Sequence, residues 1–500
     1  MGEHEDLDRE LVGGKAHSLN RMHTFGLPVP PAFVLTTEVC RRFYAADGEL
    51  DAETTAMVRD AVRSMEERTG RRFGGTERPL LVSVRSGAAR SMPGMMDTVL
   101  NLGVNAEVER ALCALTGDAD YAADTHRRFG EQFERVVGTG APTDPWEQLI
   151  AAIGAVFRSW MSPRAVTYRK HHGISDDGGT SVTVQAMVFG NLDETSGTGV
   201  LFSRNPLTGE PVPYGEWLPR GQGEDVVSGR YDPLPLAALA EQLPDVHRAL
   251  LDAAVRLEAT GKDVQDIEFT VESGSLWLLQ SRAAKRSPDA ALRLAVALHA
   301  DGVLTTDEAL CTVTPEQVKA VGKPRVSPEA KASAPLLVRG EPACPGVGVG
   351  RVVHDVEEAE DLADSGVDVV LARPTTDPDD VSGMIVSSAV LTEIGGSTSH
   401  AAVVSRELGV PCVVGCGSGT LKDLAGREVT VDGSTGEVFE GALALAPCSE
   451  SDNPALATVA GWARARVPHA QGTPAEIVAA ARQAIAEEAA AQPDAVLLTS

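Results

Sequence analysis

The sequence predicts a multidomain protein of mixed α/β and α+β class. Its 500 residues are enough for two to four domains, and 43% of them are apolar, which is sufficient for sizeable cores. Residues 106–170 have a helical pattern, whereas residues 266–271 alternate with period two and residues 389–391 form a short apolar run typical of a buried strand. Residues 323–335 are rich in Pro, Ala, Ser and Lys and indicate a linker between domains.

The overall charge excludes two classes of partner. Lys and Arg total 44 against 71 Asp and Glu, which gives a formal net charge of −27. Such a surface repels nucleic acid and anionic membranes, so an anionic substrate must be attracted by local basic groups. The chain opens without a basic segment and apolar core, and it has no apolar run long enough to cross a bilayer. We expect a soluble, cytoplasmic protein that binds neither nucleic acid nor membrane.

The seven cysteines do not form a recognisable framework. They lie at positions 40, 113, 311, 344, 412, 416 and 448. An odd number without paired spacing argues against disulfides, and Cys412 and Cys416 lack the spacing and the second pair of a zinc site. We interpret them as reduced, mostly structural thiols.

The first candidate binding element is a glycine pair followed by a lysine. Gly13, Gly14 and Lys15 precede a helix-like stretch that runs to Phe25. Glycines before a helix let the backbone approach phosphate, and Lys15 would add a point charge, although such a pair is more often a simple turn. An apolar run then delivers Arg85 to the end of a strand, and a loop with three methionines follows at residues 91–103.

Two strands further along the chain carry polar groups at alternate positions. Residues 181–189 alternate like a strand and place Gln185 at a possible adenine or phosphate edge. In residues 266–282, one face of a predicted hairpin carries Asp266 and Glu268, and the returning strand carries Gln280 and Arg282. These groups could hold magnesium and phosphate oxygens. A surface hairpin of mixed charge is the alternative.

We interpret His400, which follows the buried strand and the glycine-rich turn 395–399, as the residue around which the chain is organised. Apolar residues continue at helical spacing, and Gly409 is placed to end the helix, so His400 lies at a helix N-terminus. Unpaired N–H groups and the helix dipole there bind anions and disfavour protonation of the imidazole. A neutral imidazole beside an anion site is what a phosphoryl-accepting nucleophile requires, and simple packing of the first turn is the alternative.

The turn and helix at residues 395–411 resemble the phosphohistidine motif of pyruvate phosphate dikinase, phosphoenolpyruvate synthase and enzyme I of the sugar phosphotransferase system. The strings at residues 85–88 and 91–98 resemble the nucleotide domain of the dikinase, and the hairpin resembles the last hairpin of its ATP-grasp domain. The resemblance extends from about Gly13 to Gly441. It implies an ATP-grasp domain at 1–285, a helical segment and linker at 286–335, a swivelling phosphohistidine domain at 336–445 and a helical tail at 446–500.

The resemblance also implies a role for individual residues. His400 would be transiently phosphorylated. The residues expected to bind ATP or its phosphates are Lys15, Arg85, Gly94, Thr98, Gln185, Gln280 and Arg282. Glu268 and Asp266 are expected to bind Mg²⁺. Arg373, Thr376, Thr398 and Ser399 could hold the phosphate on the histidine, although for Thr398 we favour helix capping.

The implied reaction transfers the β-phosphoryl group of ATP to His400, while inorganic phosphate takes the γ-phosphoryl group and AMP and pyrophosphate form. The family's third domain, a barrel that binds pyruvate or phosphoenolpyruvate, does not follow in these 500 residues. We therefore expect a separate barrel protein or another small molecule as acceptor. Two alternatives are a small-molecule kinase similar to rifampicin phosphotransferase and a phosphocarrier or regulatory module without turnover of its own.

Overall fold

The structure, a computed structural model, describes residues 7–90, 92, 95–171, 173–226, 232–322, 325–396, 398–446 and 450–491, with residues 171 and 224 described by their backbone only. Gly94, one of the predicted phosphate-binding residues, lies outside these ranges. The described chain mixes helices with several sheets, as the sequence predicted. No helix in these ranges is both long and apolar enough to cross a membrane.

The N-terminal part of the chain alternates helices with short strands. Its elements are α1 (Arg9–Thr24), β1 (Ala32–Leu35), α2 (Thr37–Ala45), α3 (Ala52–Thr69), β2 (Arg72–Phe73), β3 (Pro79–Leu80), β4 (Val82–Gly87), β5 (Thr98–Leu102), α4 (Ala106–Thr116), α5 (Ala119–Val137), α6 (Pro145–Ser159), α7 (Pro163–His171), β6 (Ser181–Ala186) and β7 (Gly197–Phe202). The helical region predicted at 106–170 is thus four helices. Three of them begin where Asn105, Asp118 and Asp144 accept hydrogen bonds from first-turn N–H groups.

A four-stranded sheet with the order β1-β6-β4-β5 lies at the centre of this part. Along β4 and β6 the side chains alternate between an apolar face and a polar face. Val82, Val84, Val182 and Val184 are fully buried and pack in one hydrophobic core with residues of α5 and α6. The opposite face carries the polar residues at positions 83, 85, 183 and 185, which include the predicted site residues Arg85 and Gln185.

The remaining elements run to residue 491. They are β8 (Tyr214–Pro219), β9 (Leu234–Pro235), α8 (Leu236–Gln242), α9 (Pro244–Gly261), β10 (Gln265–Glu272), β11 (Ser275–Ala283), α10 (Pro288–Ala300), α11 (Thr306–Thr312), α12 (Pro315–Val321), β12 (Arg325–Val326), α13 (Pro328–Ser333), β13 (Leu336–Arg339), β14 (Glu341–Cys344), β15 (Val347–Val353), α14 (Val356–Asp364), β16 (Val369–Arg373), α15 (Val381–Val386), β17 (Ala389–Thr392), α16 (His400–Leu408), β18 (Cys412–Val414), β19 (Glu428–Asp432), β20 (Glu437–Glu440), β21 (Leu445–Ala446), α17 (Pro454–Arg466) and α18 (Pro474–Ala491).

The predicted hairpin is formed by β10 and β11, in a five-stranded sheet with the order β11-β10-β7-β8-β9. Ser273 and Gly274 make the turn, and both have positive φ angles of 47° and 74°. Ile267, Phe269 and Val271 are fully buried, as the alternation predicted. Asp266 on the polar side of β10 is also buried, so this carboxylate is removed from solvent.

The histidine-bearing segment is built on an eight-stranded sheet with the order β13-β20-β19-β15-β16-β17-β18-β14. Its central strands β15, β16, β17 and β18 are parallel neighbours, so their C-terminal ends meet at one edge. Loops that follow parallel strands at this edge are the usual location of ligand sites in α/β sheets. Thr376 and His400 both lie after such strands.

The C-terminal tail was predicted to hold one helix, at 474–490, with a packing or partner-binding role. The helix is present as α18, and Ile477, Val478 and Ala481 are buried in one core with residues of α10, α11 and α12. Helix α17 was not predicted. Its buried residues Leu456, Val459, Ala460 and Ala463 have helical spacing, so the signal was present in the sequence.

The segment at 325–335, before the eight-stranded sheet, contains short elements of secondary structure. Strand β12 pairs with β21, so the two connections to this sheet run antiparallel beside each other. Ion pairs hold helix α13 against the sheet, because Lys331 Nζ lies 2.5 Å from a carboxylate oxygen of Asp432 and 3.1 Å from one of Glu437. The linker predicted at 323–335 therefore contains a strand and a short helix from Arg325 onward.

The chain divides into two compact units. The first comprises residues up to Thr198 with 219–222 and 268–281, and the second comprises 199–218, 223–267 and residues from Arg282 onward. The four-part division proposed from the sequence stays a prediction. All cysteines in the described ranges are thiols, and burial raises the pKa of Cys344 to about 12 and of Cys412 to about 11. These groups are therefore unreactive at neutral pH, in agreement with a structural role.

Candidate functional site

In the first unit, the polar face of the four-stranded sheet brings several predicted residues together. Arg85 on β4 lies directly opposite Thr98 on β5 and Thr183 on β6. Gln185 is two residues further along β6, on the same face. Arg85 Nε and Thr183 Oγ1 are buried, and neither has a hydrogen-bond partner among the described residues. Buried polar atoms are normally satisfied, so this pair indicates a surface that a polar ligand would complete.

The break in α1 places Lys15 near the ends of two strands of this sheet. Gly13 has φ 76° and ψ 162°, so a short first helical turn ends there and a second helical stretch begins. A Cβ atom at Gly13 would lie 2.1 Å from the Gly87 carbonyl oxygen at the end of β4. The Gly14 N–H donates to Ala88 O at 3.0 Å. The predicted glycine turn before a helix is confirmed, and Lys15 lies half-buried in the first turn after it.

The hairpin residues 268–281 also belong to the first unit, and they include the predicted residues Glu268 and Gln280. Glu268 Oε2 lies 3.6 Å from a guanidinium nitrogen of Arg85, so this predicted metal ligand is paired with a predicted phosphate ligand. Gln280 is buried, at 7% exposure. The next residue, Ser281, donates its N–H to Ser18 Oγ at 3.1 Å. Because Ser18 is three residues after Lys15, one helical turn away, this bond places the end of β11 beside the helix that carries Lys15.

In the second unit, the buried carboxylate of Asp266 is bound by Arg282. Arg282 Nε donates to Asp266 Oδ2 at 2.8 Å. The two predicted metal ligands, Asp266 and Glu268, are therefore each engaged by an arginine. Within the described ranges, no group of three or more His, Cys, Asp or Glu side chains is arranged to hold a metal ion. A cation at these positions would need ligands from elsewhere, such as phosphate oxygens.

His400 begins α16, as predicted, and Gly409 ends that helix with φ 70°. The ring Nδ1 lies 3.2 Å from Thr376 Oγ1. The other nitrogen, Nε2, is buried and has no hydrogen-bond partner in the described part of the chain. Burial lowers the pKa of His400 below its ordinary value, while the nearby charges of Asp377 and Asp380 act in the opposite direction. The predicted neutral imidazole is confirmed in direction, and burial is its main cause.

The other residues predicted around the histidine have different positions. Ser399 is the N-cap residue of α16, and its Oγ is buried without a hydrogen-bond partner among the residues described. Arg373 ends β16, where it donates to His354 O at 2.8 Å and pairs with Asp380 at 3.2 Å. Its contacts are therefore with a neighbour of His400 and not with the ring. The Asp377 and Asp380 carboxylates were missed by the sequence analysis.

The prediction that Thr398 caps the helix was wrong. The N-cap position belongs to Ser399, and the Thr398 hydroxyl instead donates a short hydrogen bond to Glu216 Oε2. A Cβ atom at Gly396 would lie only 2.5 Å from Glu216 Oε1, so this glycine lets the carboxylate approach the loop. Thr398 lies one residue before the N-cap, and its hydroxyl is a donor to a charged acceptor on a distant strand.

Glu216 was not among the predicted site residues. It is the third residue of β8, next to Trp217, and no local pattern connects it with a loop more than 180 residues away. Further contacts lie around it in the second unit. Tyr214 donates to Glu341 at 2.9 Å, and Lys285 pairs with Glu407 of α16 at 3.5 Å. The histidine loop and helix are thus held against β8 and the residues after β11.

Comparison with known proteins assigns the two parts that meet at this contact. Residues 9–60 and 49–249 match the family "Pyruvate phosphate dikinase, AMP/ATP-binding domain", and residues 366–436 match "PEP-utilising enzyme, mobile domain". The fold and site therefore define a multidomain protein that joins a nucleotide-binding domain to a mobile domain. Glu216 lies in the first match, and Thr398 and His400 lie in the second.

Three relatives extend the similarity to most of the chain. Pyruvate, phosphate dikinase of Clostridium symbiosum is 38% identical over 89% of this chain, that of Rhizobium meliloti is 39% identical over 88%, and pyruvate, phosphate dikinase 2 of Zea mays is 40% identical over 91%. The chain belongs to the pyruvate, phosphate dikinase family. It spans 58%, 56% and 58% of the lengths of those three proteins.

Proposed function

We propose that this protein is an ATP-dependent phosphotransferase in which His400 accepts the β-phosphoryl group of ATP and passes it to a further acceptor. AMP is released when Nε2 displaces it from the β-phosphorus, and pyrophosphate forms when inorganic phosphate then takes the γ-phosphoryl group. The observation that carries the proposal is the state of the His400 ring, whose Nε2 atom is desolvated and without a hydrogen bond among the described residues. The pKa of this ring is lowered, so Nε2 retains its lone pair at neutral pH.

Thr376 defines which nitrogen reacts. With Nδ1 protonated, the ring donates to Thr376 Oγ1 and leaves Nε2 unprotonated. As the bond from Nε2 to phosphorus forms, the bond from phosphorus to the leaving oxygen breaks, and the nucleotide carries the electron pair away. The buried Oγ of Ser399 and the N–H groups of the first turn of α16 are proposed as donors to the phosphoryl oxygens.

The polar face described in the first unit supports the assignment of ATP as donor. Arg85, Thr98, Thr183 and Gln185 share that face, and two of their polar atoms have no partner among the described residues. We propose that these residues, with Lys15, Gln280 and Arg282, bind the nucleotide and its phosphates. Cations in such positions offset the negative charge that develops during phosphoryl transfer. Gly94, which lies outside the described residues, is proposed to bind phosphate as well.

Magnesium is proposed as the metal that accompanies ATP. Asp266 and Glu268 occupy alternate positions of β10, and Mg²⁺ is commonly bound by one or two carboxylates together with substrate phosphates and water. The donor set therefore fits this cation, provided that Arg282 and Arg85 turn toward phosphate oxygens when the nucleotide binds. Bound Mg²⁺ would neutralise charge on the phosphates.

We propose pyruvate as the final acceptor, because the relatives are named for pyruvate and phosphate. We propose that pyruvate is bound by a separate partner protein. A pull-down with this chain, followed by assay of the captured protein for pyruvate binding, tests that partner.

The proposed half-reaction is tested with ATP labelled separately at the β and γ positions, with and without inorganic phosphate. We expect an acid-labile label from the β position on the wild-type protein and none on His400→Asn. Label that comes only from the γ position would indicate an ordinary kinase cycle instead. Absence of label under every condition would refute the proposal and favour a regulatory module.

A further inference from the structure

We propose that Asp380 is a positioning residue that fixes the loop at 374–380 and so holds the Thr376 hydroxyl against Nδ1 of His400. This inference rests on the proposed function, and it adds to the phosphoryl-accepting site a residue that the sequence analysis did not predict. The loop connects β16 with α15 and ends in a 3₁₀ turn at Pro378–Asp380. The whole loop lies in the second unit.

The sequence of this loop restricts its conformations. Pro374 and Pro378 each fix their own φ angle, and each favours extended backbone in the residue before it. Asp377, which precedes Pro378, has φ −128° and ψ 177°, in agreement with this rule. Thr376 therefore lies in a short segment between two prolines, where a small number of contacts is enough to fix the backbone.

The two carboxylate oxygens of Asp380 contact donors on either side of Thr376. Oδ1 lies 3.2 Å from a guanidinium nitrogen of Arg373, three residues before the threonine. Oδ2 accepts the N–H of Asp377, one residue after it, at 3.0 Å. Asp380 is 4% exposed and Thr376 is 6% exposed, so water competes poorly for these bonds, which the charge of the carboxylate strengthens. One buried side chain thus joins both ends of the segment that carries the threonine.

The start of the loop is anchored independently by its backbone. The Glu393 N–H donates to Arg373 O at 3.1 Å, and the Ile394 N–H donates to Pro374 O at 3.0 Å. These bonds connect the loop to the segment that follows β17 and leads to the histidine. They end two residues before Thr376, so the carboxylate at position 380 is needed to fix the loop beyond that threonine.

Arg373 explains why position 380 requires a carboxylate. Its guanidinium also donates to His354 O at 2.8 Å, so it is held in place, and it offsets the charge of Asp380 beside a ring that must receive an anionic group. An asparagine has a single acceptor oxygen. Its amide nitrogen would face either Arg373 or the Asp377 N–H, and both of these are donors. One of the two contacts would therefore be lost.

The first test examines the ring without nucleotide, in protein labelled with ¹⁵N at histidine, well above about pH 6.5 so that the ring is neutral. Asp380→Asn and Thr376→Val should both reduce the fraction of His400 rings that carry the proton on Nδ1, measured by the ¹⁵N chemical shifts of the two ring nitrogens. His400→Asn assigns these signals. Asp379→Asn is the matched control, because it removes an exposed carboxylate from the same turn, and it should leave the shifts unchanged.

The second test measures a single turnover of His400 labelling by ATP labelled at the β position, at the same pH. Asp380→Asn should lower the rate constant roughly 2- to 13-fold, the range for one neutral hydrogen bond, because Asp380 acts through the bond of Thr376 to the ring. Combined with Thr376→Val, it should be no slower than Thr376→Val alone. Asp379→Asn should label at the wild-type rate.

Thermal unfolding shows whether each variant folds. If Asp380→Asn does not, Asp380→Glu is measured in its place with the same expected results, since it keeps the charge and moves the carboxylate by one methylene group. The inference is overturned if the variant at position 380 keeps the wild-type ring signals, labels at the wild-type rate, or slows Thr376→Val further. Wild-type protein that takes no label from the β position would refute the proposed function instead, and the ring signals would still test the role of Asp380.

Discussion

Replacing Thr376 with valine removes the hydroxyl that lies 3.2 Å from His400 Nδ1 and keeps the volume and branching of the side chain. Thr376 is buried, so water cannot readily replace the lost partner. A neutral hydrogen bond contributes about 0.5–1.5 kcal/mol net, which corresponds to a roughly 2- to 13-fold change in rate if the bond orients the ring for attack. We therefore expect His400 in Thr376→Val to be labelled roughly 2- to 13-fold more slowly by ATP labelled at the β position.

The assay measures a single turnover of His400 labelling by ATP labelled at the β position, at saturating ATP. Thr376→Ser is the matched control. The serine variant keeps the hydroxyl and loses only a methyl group, so its rate should stay near that of the wild-type protein. The reasoning is refuted if the valine variant is as fast as wild type. It is equally refuted if serine and valine slow the reaction by the same factor, because the hydrogen bond would then not be the cause.

Three further predictions concern the ring, the backbone and the tail. Labelling of His400 should fall at low pH with a midpoint below 6.5, since the pKa of the ring is lowered from that value and the neutral form reacts; a rate profile with its midpoint above 6.5 contradicts this. Gly13→Ala should lower the free energy of unfolding, measured with denaturant, by about 1–2 kcal/mol from backbone strain plus about 1–3 kcal/mol from overlap with a carbonyl oxygen. Gly26 also has a positive φ but lies in open space, so Gly26→Ala should show only the strain. Equal losses in the two variants would contradict the account. Ile477→Ala should cost about 2–5 kcal/mol in the same measurement and Ile485→Ala less, because Ile477 is in the core and Ile485 is only partly buried; equal costs would show that α18 does not pack as described.

Local patterns in the sequence were sufficient to predict the elements that carry the main residues. The apolar run of β17, the small residues of α16 and the position of Gly409 together placed His400 at a helix N-terminus, where the structure has it. Period two in β10 predicted which of its residues face the core. These signals depend on neighbours within one element, so a single sequence contains them.

Contacts between distant segments could not be predicted in this way. Nothing in the spacing of residues 395–400 indicates that Thr398 meets Glu216 on β8, and the hydroxyl was therefore assigned to the helix cap. The Oγ1 atom of Thr183, which has no hydrogen-bond partner among the described residues, was missed for a different reason. The alternation of residues 181–186 showed that a polar face exists, but only the strand register places Thr183 beside Arg85.

The account depends on one nitrogen atom, Nε2 of His400, and nuclear magnetic resonance can identify it directly. The protein would be labelled with ¹⁵N at histidine, incubated with ATP and Mg²⁺, and examined for coupling between phosphorus and nitrogen. We predict one acid-labile phosphoryl group bonded to Nε2 of His400 and none in His400→Asn. A phosphoryl group on Nδ1, on another residue or on a hydroxyl oxygen would contradict the account.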